Sequence, residues 1–352
     1  MENKSIEVIL GNSNRRFSGV TSTMLRVLEH HKDKIGIAVM GKHHLPADVP
    51  SISFWKCAKL CKSTLPDGKF RVFHARRNNE VIQALILKKI FKAKIKVIFT
   101  STAQREHTWI TRWLIKQVDY LVATCSGAAA VLKRKPDKMI PHGVDLKTYR
   151  LPEEGKKIAW ESLGYSGEYG IGIFARVRQQ KGIGILVDAM IPIMKEDPSP
   201  TILIAGETTR SHEQFVADLK EKIRSEGLEK RILFLGKVHY AKEVPKLMRG
   251  LSIVTALSTI EGFGLPVLEA MASGCSVVAS RTGAWEDIIV PGEHGLLVPC
   301  NDVKAAHEAL KKLTSDSSIL EKMGLKGRDR IAEGFTIETE ASSLLELYKS
   351  VQ

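Results

Sequence analysis

Short β-branched runs alternate with helical stretches along this chain, and the series occurs twice; nothing else in the sequence restricts the possible folds as much. IEVIL (6–10), KIGIAVM (34–40), RVFHA (71–75), KVIFT (96–100) and DYLVAT (119–124) read as strands. GVTSTMLRVLEHH (19–31), NEVIQALILKKIF (79–91) and HTWITRWLIKQV (107–118) read as helices between them. A second series has strand-like YGIGIFAR (169–176), PTILIAGE (200–207), RILFLGKV (231–238), LSIVTALS (251–258) and CSVVAS (275–280), each followed by a helical or turn segment. Parallel strands need a crossover connection, so this alternation gives βαβ units and parallel sheets. The polar, turn-rich MIPHGVDLKTYRLPEEG (139–155) reads as a connector. With 352 residues, the expectation is two doubly wound α/β domains, residues 1–147 and 148–336, with a last helix at 337–352.

The net charge of +14 is unevenly placed. Residues 1–150 carry 28 Lys and Arg against 11 Asp and Glu, whereas residues 151–352 carry 25 against 28. The first half therefore wants a polyanion or an anionic surface: nucleic acid, anionic lipid or a phosphorylated glycolipid. No apolar run approaches the roughly 18 residues needed to cross a bilayer. The opening MENKSIEVILGNSNRR lacks a signal-peptide layout, so a cytosolic location is expected. Five cysteines (57, 61, 125, 275, 300) are an odd, scattered set and argue against a disulfide framework. Cys57 and Cys61, with His43 and His44 upstream, do not match zinc spacing and read as thiols on a helix face.

In open α/β sheets, ligands sit beyond the carboxyl ends of the strands, on the loops entering the helices. Three such loops stand out. EGFGLPVLEAMASG (261–274) sets a glycine-bearing turn before a short helix, with Pro266 suited to its first position and Gly274 to its stop. Backbone N–H groups at that junction suit an anion. In ARVRQQKG (175–182), Arg176 ends a strand and Lys181 opens the next segment; together they can clamp a diphosphate, with Gly182 allowing close approach. NRRFSGVTS (14–22) is another glycine-bearing loop before a helix, placing Ser18 and Gly19 for a further phosphate contact.

With "PHGVD" (141–145), "RILFLGKV" (231–238) and "HGLLVP" (294–299), these motifs make the chain resemble a retaining GT-B glycosyltransferase of glycosyltransferase family 4. The resemblance implies two Rossmann-like domains facing a cleft. The first binds the acceptor, the second binds a nucleotide sugar, and the C-terminal helix crosses back to the first. It implies that Glu269 receives the ribose hydroxyls and that Glu261 lies by the donor sugar. The turn Gly262, Phe263, Gly264 and Leu265 would hold the diphosphate with Arg176 and Lys181, and the base would meet the backbone around Gly236 to Val238. His107 matches the family's cleft histidine near the reacting bond. Cations and N–H groups aimed at a leaving diphosphate stabilise the charge that develops there. There is no Asp-x-Asp, so no metal and no cofactor are expected. No carboxylate pair suggests a covalent nucleophile, and the family implies front-face attack.

A narrower likeness lies in the first half. "NRRFSGVTST", "HARRNNE" (74–80), "TSTAQREHT" (100–108) and "IPHGVDL" resemble lipopolysaccharide core mannosyltransferases, which glycosylate an acidic, membrane-held glycolipid. Arg15, Arg16, Arg76, Arg77 and Arg105 are the candidates for reading that acceptor. The implied enzyme transfers a hexose, mannose first, from a GDP-, UDP- or ADP-linked sugar, peripherally on the inner face of the cytoplasmic membrane and without nucleic acid. Glucosyl, N-acetylglucosaminyl or heptosyl transfer, a GT-B epimerase or phosphorylase, and a basic nucleic-acid-binding module are the alternatives. VIQALILKKIFKAKIK (81–96) and HTWITRWLIK (107–116), with Trp109 and Trp113 one turn apart, either touch lipid or pack their apolar faces inward.

Overall fold

The computed structural model describes residues 5–15 and 18–352. The chain divides into two compact units, Met1–Gly143 with Ile337–Gln352, and Val144–Thr336.

In unit 1 the elements run β1 (Val8–Gly11), α1 (Gly19–His31), β2 (Ile37–Met40), β3 (Ser51–Ile52), α2 (Phe54–Leu60), β4 (Arg71–Ala75), α3 (Asn78–Lys89), β5 (Ile95–Ser101), α4 (Trp109–Gln117), β6 (Tyr120–Ala123), α5 (Ser126–Ala130) and β7 (Lys138–Met139). The strands pair in parallel in the order β3-β2-β1-β4-β5-β6-β7. Successive strand residues serve opposite faces. Val8 and Leu10 join Val72, Ile98 and Val122 under α1, whereas Ile9 joins Phe73, Val97 and Leu121 under α2, α3 and α4. Both faces are covered, so the strands are largely apolar rather than alternating, with buried Arg71 and His74 as polar exceptions on β4.

Unit 2 runs α6 (Lys156–Glu161), β8 (Tyr169–Phe174), α7 (Ile183–Glu196), β9 (Pro200–Ala205), α8 (Glu213–Ser225), β10 (Ile232–Gly236), α9 (Glu243–Gly250), β11 (Leu251–Ala256), α10 (Leu265–Ala272), β12 (Ser276–Ser280), α11 (Trp285–Ile288), β13 (Leu296–Val298), α12 (Val303–Thr314) and α13 (Ser317–Gly334). Its parallel sheet has the order β10-β9-β8-β11-β12-β13. Ile171, Ile173, Ile202, Ile204 and Ile253 meet Leu186, Val187 and Met190 of α7 in its core.

The last helix, α14 (Ile337–Val351), belongs to unit 1 and packs beside α1. Polar contacts hold it alongside the apolar ones. The His31 ring bonds the Ala341 carbonyl at 2.7 Å, and His74 Nδ1 lies 2.7 Å from the Tyr348 hydroxyl. Glu340, itself buried, receives His142 Nδ1 at 2.7 Å and the Gly143 amide at 2.8 Å.

The doubly wound pattern of both series is the observed fold class. Three strands escape the sequence reading: Ser51–Ile52, Lys138–Met139 and Leu296–Val298. They are two or three residues long, too short to show a period. The strand expected to run to Val238 stops at Gly236, which turns the chain at φ +67°. The helix expected from His107 starts at Trp109, because Thr108 caps it, its Oγ1 accepting from the Thr111 amide at 3.3 Å.

Candidate functional site

In each unit the sheet's first strand lies inside the sheet, and the winding direction reverses beside it. This switch point falls between β1 and β4 in unit 1 and between β8 and β11 in unit 2. Loops leaving such strand pairs are where an open α/β sheet receives a ligand. Most of the candidate residues lie there; Arg105 and His107 follow β5, and Gly236 and Val238 lie at the end of β10 and after it.

In unit 2 the loops after β8 and β11 are joined directly. The Thr259 amide donates to the Gln180 carbonyl at 3.0 Å. Gly182, at φ +72°, lies so close that a Cβ would come within 2.1 Å of the Leu257 carbonyl oxygen. Across this seam Lys181 Nζ meets Glu261 Oε2 at 2.5 Å, both side chains mostly buried. Ser258 Oγ stands 3.5 Å from the same carboxylate, whose other oxygen accepts from the Gly262 amide at 3.0 Å. Arg176 is exposed at the start of the loop after β8. The structure thus brings Lys181 and Glu261 together as an ion pair, rather than presenting the lysine as an isolated cation.

The turn into α10 is built for close approach. Gly264 caps the helix at φ +84°, and a Cβ there would fall 2.2 Å from Trp285 Nε1. That indole N–H donates to the Gly264 carbonyl at 3.3 Å, so buried Trp285 is the floor of the turn. Gly264 brings no side chain to cap the first turn, which leaves that end suited to an anion. Phe263 is buried and Leu265 opens the helix. Pro266 takes the second helical position, one later than expected. At the far end, Gly274 at φ +71° donates to Met271 and Cys275 to Ala270, closing the helix with a left-handed glycine cap. Glu269 lies one turn into α10, fully buried, and the Tyr240 hydroxyl donates to its Oε1. Tyr240 comes from the loop after β10, which starts beyond exposed Gly236 and carries half-buried Val238.

In unit 1 the loop after β1 reaches α1 through Ser18, whose Oγ accepts from the Thr21 amide at 3.4 Å. Gly19 is exposed with open space around its Cα. From the loop after β4, the Arg77 guanidinium donates to Ser18 Oγ at 3.1 Å and to Thr21 Oγ1 at 2.8 Å. Its other nitrogen pairs with Glu80 at 2.8 Å. Glu80 is fully buried and also accepts the amides of Arg76 and Arg77 at 2.8 and 3.1 Å. Gly11 makes room for it, since a Cβ there would lie 2.9 Å from that of Glu80. Arg77 is therefore a strut between two loops. Arg76 is half-buried, with its charge near the Tyr348 hydroxyl. Arg15 and Arg105 are exposed, and Arg16 lies outside the described residues.

His107 precedes α4 on the loop after β5. Its Nε2 is buried and has no hydrogen-bond partner among the described residues. Burial, with Arg112 and Arg105 nearby, holds the imidazole below its ordinary pKa. It is thus a neutral ring with one nitrogen available. Cys57 on α2 and Cys61 just beyond its end are buried against the sheet, and no metal-binding cluster occurs among the described residues.

Sequence reasoning missed Glu80, Tyr240 and Trp285. Glu80 left a trace: an acid at the third position of a helix start is the capping-box pattern. Tyr240 and Trp285 left none, because only folding brings them to Glu269 and Gly264.

Residues 156–330 match the family of glycosyl transferases group 1. The full chain is 36% identical over 354 residues to the lipopolysaccharide core biosynthesis mannosyltransferase LpsB of Rhizobium meliloti, spanning 99% of this chain and 98% of that protein. The chain is a group 1 glycosyltransferase. The crystal structure of the C-terminal domain of LpcC from Francisella tularensis, a group 1 family protein, is 38% identical to this glycosyltransferase. It covers 55% of the present chain and all of its own, with a TM-score of 0.53. Anabaena HepE, crystallised with UDP, shares the fold over 98% of this chain and all of its own, with a TM-score of 0.83 at 17% identity. The glycosyltransferase thus has the two-unit GT-B fold.

Proposed function

We propose that this glycosyltransferase moves a hexose, mannose first, from a nucleoside-diphosphate sugar to the inner core of lipopolysaccharide, with retention and without a metal. The observation that carries the reading is end-to-end likeness to a lipopolysaccharide core mannosyltransferase. The joined loops of unit 2, with Lys181 on Glu261 and an anion-suited turn beside them, support a diphosphate donor there.

In this reading Arg176, Lys181 and the turn from Gly262 to Leu265 receive the diphosphate. Glu269 holds the ribose hydroxyls, Gly236 and Val238 meet the base, and Glu261 lies by the sugar. The bond from the anomeric carbon to the β-phosphate oxygen breaks, and a bond to the acceptor oxygen forms on the same face. The acceptor's proton passes to the leaving phosphate, and nucleoside diphosphate departs. Charge grows on that phosphate as the bond opens, and fixed cations and amides stabilise it. His107 is assigned to the reacting bond as a neutral partner. Ser18 and Gly19 are assigned to the donor, and Arg15, Arg16, Arg76, Arg77 and Arg105 to the acid-rich acceptor, the last set consistent with the basic first half. The enzyme would act on the cytosolic face of the membrane.

Thermal shift against GDP, UDP and ADP and their sugars identifies the donor, since only a ligand preferring the folded state raises the melting temperature. The donor so found is then incubated with inner-core acceptor, with and without EDTA, and the product's anomeric configuration is read by NMR. An α-linked product from an α-linked donor, insensitive to EDTA, is expected. Loss of activity in EDTA removes the metal-free reading, an inverted product removes retention, and transfer to no core acceptor removes the substrate.

A further inference from the structure

Among the large apolar side chains of unit 1 that stand in solvent are Trp55 (69% exposed), Ile90 (69%), Trp109 (76%), Ile110 (45%) and Trp113 (50%). They form one surface. Trp55, the second residue of α2, packs edge-on against Phe91, ring centroids 5.5 Å apart, with Phe54 at a similar distance from both. Ile90 and Phe91 follow the end of α3. Lys89, its last residue, places Nζ 5.8 Å from the Trp113 ring centroid and donates to Gln117 of α4 at 2.6 Å. Trp109 and Ile110 extend the strip by one turn of α4. An apolar band therefore runs from α2, across the end of α3, along α4.

Cations interleave with it. Lys56, Lys59, Lys62, Lys89, Lys92 and Lys116 are all exposed. Between residues 54 and 96 the sequence has 12 Lys and Arg against two acids, Asp67 and Glu80, and Glu80 is buried and paired with Arg77.

We infer that this face seats on an anionic bilayer, with the indole rings at headgroup level and the lysines on the lipid phosphates. Tryptophan favours the membrane–water interface because its ring is apolar with one polar edge. Exposed lysine adds attraction to anionic lipid that an uncharged bilayer lacks. Isoleucine in the same strip argues for lipid over nucleic acid, since bases gain by stacking on aromatic rings and on cations, not on aliphatic chains. No helix among the described residues is long and apolar enough to span a membrane, so the face lies on the surface. The inference deepens the proposed function by naming the surface that keeps the enzyme beside a membrane-held acceptor. Its test uses vesicles without acceptor, so binding and transfer can fail separately.

The full-length protein is sedimented with vesicles of phosphatidylcholine alone and with about 30% phosphatidylglycerol, while tryptophan emission is followed. Binding to the anionic vesicles only, with a blue shift, is expected; Trp160 and Trp285 are buried already and contribute no shift. The variant Trp55→Ser/Ile90→Ser/Trp113→Ser should lose about tenfold in partitioning, with an unchanged melting temperature and unchanged transfer to a detergent-dispersed acceptor. Lys59→Glu/Lys89→Glu should lose the preference for anionic lipid. Failure of the wild type to bind overturns the inference. So does undiminished binding by both variants, or tighter, salt-sensitive capture of single-stranded DNA that the vesicles cannot compete away.

Discussion

The two units repeat one topology, an internal first strand from which the chain winds outward both ways, yet they dispose of charge and aromatic surface in opposite ways. Unit 2 buries both of its tryptophans, Trp160 and Trp285, whereas all three of unit 1, Trp55, Trp109 and Trp113, are exposed. At the switch point of unit 2 the cation Lys181 is matched by Glu261 and the loops touch through glycines. At that of unit 1, Arg77 is matched by Glu80, but Arg15 on the loop after β1 is exposed, as is Arg105 on the loop after β5. Tight loops with positive-φ glycines suit a ligand of fixed shape. An open basic surface suits a large, charged and variable one. The contrast teaches that the shared scaffold sets where ligands arrive, while loops and surface decide what kind.

The strongest way to break the comparison is at the two ion pairs, Arg77–Glu80 and Lys181–Glu261. Glu80→Ala leaves the Arg77 guanidinium and two amides without their acceptor in a buried place. Breaking a buried pair on one side costs about 3–5 kcal/mol. The urea midpoint should fall accordingly, and less for Glu80→Gln, which still accepts the amides. A midpoint unchanged in Glu80→Ala would show that Arg77 is no strut. Lys181→Ala leaves Glu261 partly open to water and still bonded to Ser258 and the Gly262 amide, so the midpoint should fall less than in Glu80→Ala, while kcat drops by roughly 10²–10³, the usual effect of removing one preorganised donor to a developing anion. Retained turnover would separate the Lys181–Glu261 pair from the chemistry.

Acid sharpens the same contrast with a smaller effect. His31 and His74 hold α14 to unit 1 and are both buried. Burial lowers the pKa of each, with Arg76 adding to the shift. A histidine whose folded pKa is depressed binds fewer protons folded than unfolded. Its contribution is therefore intact above the unfolded value of about 6.5 and is lost as pH falls below it. The urea midpoint should decline below about pH 6.5, and the decline should flatten in His31→Gln/His74→Gln. An equal slope in that double variant would place the acid sensitivity elsewhere.

Much of this was legible beforehand because it is repeated or local. The βαβ alternation needs only periodicity, and Gly264, Gly274 and Pro266 announce a helix with both ends marked. The partners of the candidate residues were not legible, since they come from elements far apart in sequence. Lys181 meets Glu261 across 80 residues, and Tyr240 meets Glu269 across 29. The pair Arg76 and Arg77 reads as one cluster, yet folding sends Arg77 to Glu80 and Arg76 toward Tyr348 of the last helix. The fate of the tryptophans was equally hidden. Trp109 and Trp113 mark one face of a helix, and periodicity cannot say whether that face meets core or solvent; the partners from α2 and α3 decide it.

Tyr240 offers the finest test of the idea that unit 2 is built around a fixed ligand. Its hydroxyl occupies Glu269 Oε1, the carboxylate assigned to the ribose diol. If the diol takes that acceptor, nucleotide must displace the tyrosine, and the lost hydrogen bond is subtracted from binding. Tyr240→Phe removes the competitor while keeping the ring, so nucleoside diphosphate should bind a few-fold more tightly, on the scale of one net hydrogen bond of about 1 kcal/mol. A 2′,3′-dideoxy nucleotide, which has no diol to offer, should bind wild type and variant alike. Equal tightening for both nucleotides would mean that the ring merely obstructs the pocket. Weaker binding of the ribonucleotide in Tyr240→Phe would mean that the hydroxyl is itself a ligand contact and moves with the donor.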